Sequence, residues 1–62
     1  MTHPLSEALA RRERSASWLA RKTGKTPSYV SRVMSGERRP SEDFRERAAA
    51  TLGVPESRLF PS

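Results

Sequence analysis

The chain contains no cysteine, which excludes a disulfide framework, a thiolate metal site and a cysteine nucleophile. It has no isoleucine, only three valines and no sustained two-residue alternation, so strands are not expected. No apolar run exceeds three residues, as at Ala48 to Ala50, so no segment reads as a membrane span or the apolar part of a signal peptide. The one histidine, His3, has no ligand cluster around it in the sequence. No serine stands in a nucleophile-elbow motif or beside a plausible base, and no glycine-rich phosphate loop occurs, so catalysis finds no support. At 62 residues the chain has room for a single small core, not for a frame with a separate catalytic pocket. The expectation is one soluble, basic, intracellular domain over residues 1–62. Met1 and an ending just past Phe60 are consistent with a complete chain.

One stretch also lacks acid altogether. The formal charge is +5. Arg11 and Arg12 are balanced by Glu7 and Glu13, and the basic and acidic residues of 37–62 cancel. The entire excess therefore falls in residues 14–36, as Arg14, Arg21, Lys22, Lys25 and Arg32, with Arg38 and Arg39 at its edge. Ordinary solvated helices mix both signs, because unlike pairs one turn apart help and like pairs repel. A segregated basic stretch points to an anionic partner, nucleic acid before a membrane surface.

Glycine and proline divide the rest. Gly24 is followed by Thr26-Pro27, Gly36 by Pro40-Ser41, and Gly53 by Pro55. Each set marks one helix stopping and the next starting, with Thr26 and Ser41 as N-caps. The pattern predicts five helices at about 5–13, 16–23, 27–35, 42–52 and 56–60, with the first three or four residues and Pro61-Ser62 frayed. Leu5, Ala8, Leu9, Leu19, Ala20, Thr23, Val30, Val33, Met34, Phe44, Ala48, Leu52, Val54, Leu59 and Phe60 fall on the inward faces. The fold class is all-α.

The third helix carries the most information. Its inner positions are Val30, Val33 and Met34, and its outer stripe is Ser28, Ser31, Arg32 and Ser35. Serine is a weaker helix former than the Glu, Lys or Gln that usually fill a solvated face. Small hydroxyl side chains let a helix approach a surface closely and still hydrogen-bond to it. Nine residues make a rod of roughly 13 Å, short enough for a major groove about 12 Å wide. Only Lys25 separates Gly24 from the cap Thr26, and such a turn sets two helices at a steep angle.

The run Leu19-Ala20-Arg21-Lys22-Thr23-Gly24-Lys25-Thr26-Pro27-Ser28-Tyr29-Val30-Ser31-Arg32-Val33 resembles the helix-turn-helix of the phage Cro/CI repressor (XRE-like) family. The likeness continues through Gly36 to Ser41 and from Leu52 to Phe60. It implies a compact five-helix bundle of the lambda-repressor-like type, with the third helix reading the major groove of an operator. By position, the resemblance assigns base reading to Pro27, Ser28, Ser31 and Arg32. It assigns backbone contact to Ala16 and Ser17, to Lys25, Thr26 and Tyr29, and to the loop of Glu37, Arg38 and Arg39. It further implies a bacterial or phage regulator in the cytoplasm and a weak homodimer, completed on DNA, with no cofactor, metal or small-molecule substrate.

Three departures from the family pattern stand out. Many relatives have glutamine where Ala16 stands. Pro27 cannot read a base by hydrogen bonding. Arg14 replaces an apolar residue and Trp18 an acidic one, so Trp18 is expected to cover the core gap left by Arg14 or to join an interface. Arg11, Arg12, Arg45 and Arg47 read as surface charge. A rival reading keeps the same fold as a protein-interaction module, an antitoxin or adaptor, docking through Trp18 or Leu59-Phe60. A third places the basic stretch on anionic membranes, but Gly24 interrupts it and no broad apolar face supports it.

Overall fold

A computed structural model describes residues 3–61; Met1, Thr2 and Ser62 lie outside it, and with them part of the expected fraying. Five helices follow in order: α1 (Pro4–Arg11), α2 (Ala16–Thr23), α3 (Pro27–Ser35), α4 (Glu42–Leu52) and α5 (Glu56–Leu59). No strand occurs among the described residues.

Local chemistry accounts for these boundaries. Thr26 Oγ1 accepts from the Tyr29 amide at 3.1 Å, and Ser41 Oγ from the Phe44 amide at 3.2 Å. Each satisfies one of the orphan donors at a helix start. Ser15 does the same for Trp18 at 3.2 Å. Gly24 and Gly36 end α2 and α3 at φ 71° and 83°, in the left-handed region that a side chain disfavours. The chain is thereby turned sharply on both sides of α3.

Two end effects depart from the sequence expectation. His3 and Pro4 are not frayed: His3 Nδ1 accepts from the Leu5 amide at 3.0 Å, and Pro4 occupies the first turn of α1. That helix also stops at Arg11 rather than near 13. Glu13 takes the left-handed conformation at φ 54°, and the Arg14 amide bonds back to the Leu9 carbonyl at 2.9 Å. A glutamate here does what glycine does at the other turns, so the sequence carried no stop signal. At the other end, α5 closes at Leu59, and Phe60 caps it through the Glu56 carbonyl.

The core is Leu5, Leu9, Leu19, Ala20, Val30, Val33, Phe44, Ala48, Leu52 and Leu59, all from the inward faces expected. Ala8, Met34, Val54 and Phe60 line its edge, half-buried. Burying a Leu or Phe contributes about 1.5–3 kcal/mol, so these side chains supply most of the driving force. Thr23 is buried but satisfied, donating to the Leu19 carbonyl at 2.8 Å. Ala20 is fully buried on α2, which packs against both α3 and α4, and its small size suits close approach between helices. An aromatic chain runs from His3 to Phe60, Phe44 and Tyr29, with ring centroids 6.3, 5.9 and 5.2 Å apart.

Two arginines read as surface charge do more. An Arg12 guanidinium N–H donates to the Leu52 carbonyl at the end of α4, tying the α1–α2 connection to a helix C-terminus where positive charge is favoured. Arg45 leans toward α5, its Nε out of solvent and 3.9 Å from Glu56. Arg47 stays exposed beside Asp43 at 3.1 Å, where such a pair contributes little.

Candidate nucleic-acid interface

The packing of α3 against α2 buries Val30 and Val33 and turns the opposite stripe outward. Pro27, Ser28, Ser31, Arg32 and Ser35 are all exposed. Ser35 donates its hydroxyl to the Arg32 carbonyl of its own helix at 3.1 Å. Among the described residues, Ser28 and Ser31 make no side-chain hydrogen bond within the chain and Arg32 no ion pair. Three polar side chains on a rigid helix thus face solvent with their bonding capacity free.

Tyr29 organises the flanks of this stripe. Its hydroxyl accepts from the Ser41 amide at 2.9 Å and lies 3.4 Å from Ser41 Oγ. Its ring meets Phe44 edge-on below. Lys25 Nζ stands over the ring at 5.5 Å and the Arg38 guanidinium at 5.1 Å, both within cation–π range. Burial pushes the Tyr29 phenol up, but the two Ser41 hydrogen bonds, the Lys25 charge and hydrogen bonding from Arg38 outweigh it and leave the pKa below its ordinary value. The cations before and after α3 are therefore gathered on one aromatic ring. Arg39 is exposed next along the loop, whose course is fixed by the Glu37 and Arg38 amides bonding to the Arg32 carbonyl.

At the start of α2, Ser17 is exposed and Ala16 half-buried. The Ser15 cap serves the Trp18 amide, so the amides of Ala16 and Ser17 lie outside the helix's own ladder, in the geometry that suits an anion. Trp18 is half-buried against the core edge. Arg14 and Lys22 stand over its ring at 5.0 and 5.8 Å. It packs against the core, in line with one of the two expectations, with two cations over its ring. Of the other docking patch in the rival reading, Leu59 is 1% exposed and Phe60 is half-buried against Phe44.

Lys25, Thr26, Pro27, Ser28, Tyr29, Ser31, Arg32, Arg38 and Arg39 thus lie along α3 and the turns that flank it, and Ser17 lies at the start of α2. Thr26 is occupied as a cap, and Tyr29 as a strut. The sequence reading missed Ser15, although a serine just before an amphipathic run is a legible cap signal. It also missed the Tyr29–Ser41 link, for which no local signal exists. Among the described residues, no group of three or more His, Cys, Asp or Glu could hold a metal ion, and no helix is long and apolar enough to cross a membrane.

A family model described as a helix-turn-helix domain matches residues 7–59, in agreement with the Cro/CI-like resemblance. No curated protein and no solved structure matches the chain.

Proposed function

The chain belongs to the helix-turn-helix domain family, and from that footing we propose that it is a sequence-specific, double-stranded DNA-binding transcriptional regulator acting as a repressor. The observation that carries this reading is the outer stripe of α3, exposed, acid-free and flanked by cations gathered on Tyr29.

In this reading α3 enters the major groove. Arg32 donates two hydrogen bonds to a guanine edge, and Ser28 and Ser31 bond to base edges of either type or to a phosphate. Pro27 presets the first turn without contributing a donor. Ser17, Lys25, Thr26, Tyr29, Arg38 and Arg39 follow the phosphate backbone, Tyr29 mainly through the two cations on its ring. These contacts fix position and supply salt-dependent affinity, while the stripe supplies sequence choice. Repression is steric, by occupying an operator that overlaps a promoter. The protein works in the cytoplasm as a weak homodimer completed on a two-fold symmetric operator, with half-sites about 10 bp apart.

The test is selection of random duplex DNA by the purified protein, followed by titration of the recovered sequence at two salt concentrations. A short two-fold symmetric motif with steep salt dependence is the expected result. Weak, uniform binding with no enriched motif would overturn the reading.

A further inference from the structure

A groove of about 610 Å³ lies between α1 and α5, and it shares no residue with α3 or its flanking turns. Its floor is apolar: Ala8 and Val54 are half-buried there, over the fully packed Leu59. Its rim is cationic, with Arg11, Arg12 and Arg58 all exposed. Glu7 is the one acidic residue among those lining it.

This charge is not needed to balance the fold. Arg12 has its carbonyl partner at Leu52. Arg11 and Arg58 form no ion pair or side-chain hydrogen bond among the described residues. Two free guanidinium groups thus flank an apolar strip on the α1–α5 side of a molecule whose proposed DNA contacts lie on α3.

The chemistry selects among occupants. DNA would satisfy the arginines but leave the apolar floor without a partner. A second copy placed groove to groove about a two-fold axis would set like-charged rims against each other, which is unfavourable at such an interface. Inserting the acidic start of α4 from another copy would be a head-to-tail contact, which does not close on itself. The groove lies open at the surface between exposed arginines, whereas sites for small molecules bury most of their ligand. An acidic peptide meets both features, since carboxylates pair with guanidinium groups in fork geometry and an apolar side chain fills the floor.

We propose that the α1–α5 groove is a docking site for an acidic, amphipathic segment of a partner protein, held by Arg11 and Arg58 around an apolar anchor seated on Ala8 and Val54. The site is separate from the DNA-reading face, so the partner joins the protein while it sits on an operator.

A displayed library of random peptides, selected against the full chain, tests this. Enriched peptides are expected to combine Glu or Asp with one or two large apolar residues, and to bind more weakly at higher salt. The double variant Arg11→Glu, Arg58→Glu is expected to lose about tenfold or more in affinity for them and to enrich basic peptides in their place. Both positions are exposed, and the thermal unfolding of the variant checks that it is folded. Ala8→Gln, which fills the floor and keeps the rim, is expected to weaken the same peptides. The idea fails if no peptide is enriched, if the enriched peptides are not acidic, or if charge reversal leaves their binding unchanged. It fails equally if the reversal lowers DNA affinity by a similar factor, which would make the groove a nucleic-acid contact. It also fails if the reversal abolishes self-association of the wild-type chain, which would make the groove a contact between copies.

Discussion

The Tyr29 hydroxyl accepts a hydrogen bond from the backbone amide of Ser41 at 2.9 Å, while Ser41 Oγ caps α4 through the Phe44 amide. One serine thereby joins the side of α3 to the start of α4, across the Gly36–Pro40 loop. Removing the hydroxyl alone, with Tyr29→Phe, is expected to destabilise the protein by about 0.5–1 kcal/mol. It should leave the salt dependence of DNA binding unchanged, because the ring still holds Lys25 and Arg38. Tyr29→Leu removes that ring and is expected to weaken DNA binding as well. Urea denaturation and DNA titration of both variants separate the two roles.

The same phenol offers a spectroscopic check, since Tyr29 is the only tyrosine. Its pKa lies below the ordinary value: burial opposes the shift, while Ser41, Lys25 and Arg38 favour the ionised form. The tyrosinate absorbance of the folded chain is expected to rise at lower pH than that of the chain in urea. The folded form gives up this proton first. Tyr29 therefore adds stability as pH climbs through the alkaline window between the two midpoints, and that addition is lost again as pH falls through the folded midpoint.

Arg32 and Arg39 are expected to fail differently. Arg32→Ala should cost about 1–3 kcal/mol of specific binding and relax choice at one base position. Arg39→Ala should weaken all sequences alike and flatten the salt slope by about one unit. Binding measured on the selected operator, on single-base variants and on unrelated duplexes distinguishes the two. Identical profiles for both variants would refute this division of labour.

Neighbouring arginines at the end of α1 make a similar contrast in stability. Arg12→Ala removes the tie to the Leu52 carbonyl and is expected to cost about 1 kcal/mol, whereas Arg11→Ala should stay within about 0.5 kcal/mol of the wild type. Glu13→Gly relieves a left-handed backbone at a residue with a side chain and is expected to stabilise by up to about 1 kcal/mol. Denaturant midpoints of the three variants check all of this.

The bounds of α3 and α4 were legible because each carries its punctuation locally, a hydroxyl cap before and a glycine after; α2 carries the same pair, but of it only Gly24 was read and not Ser15. The outward stripe of α3 was legible for the same reason, since period and residue type agree within nine residues. The end of α1 was not, because Glu13 adopts a conformation its side chain does not advertise. Contacts across the fold were beyond sequence reasoning. Arg12 meets a carbonyl 40 positions away and Tyr29 a serine 12 away, and nothing in the flanking residues marks either partner. His3 reads as a loose end until the fold brings Phe60 beside it.

That last pairing has a kinetic side. The helices from α2 to α4 are joined by short connections, whereas the contact of His3 with Phe60 closes a loop of almost the whole chain. Loop closure costs entropy before any contact repays it, so the α1–α5 clasp is expected to form after the contacts of α2 to α4 and to open before them. Amide protons of α1 are therefore expected to exchange with solvent ahead of those in α2 and α3. A chain that loosens at its ends in this way can expose and re-form its α1–α5 side while the α2–α3 pair stays shut.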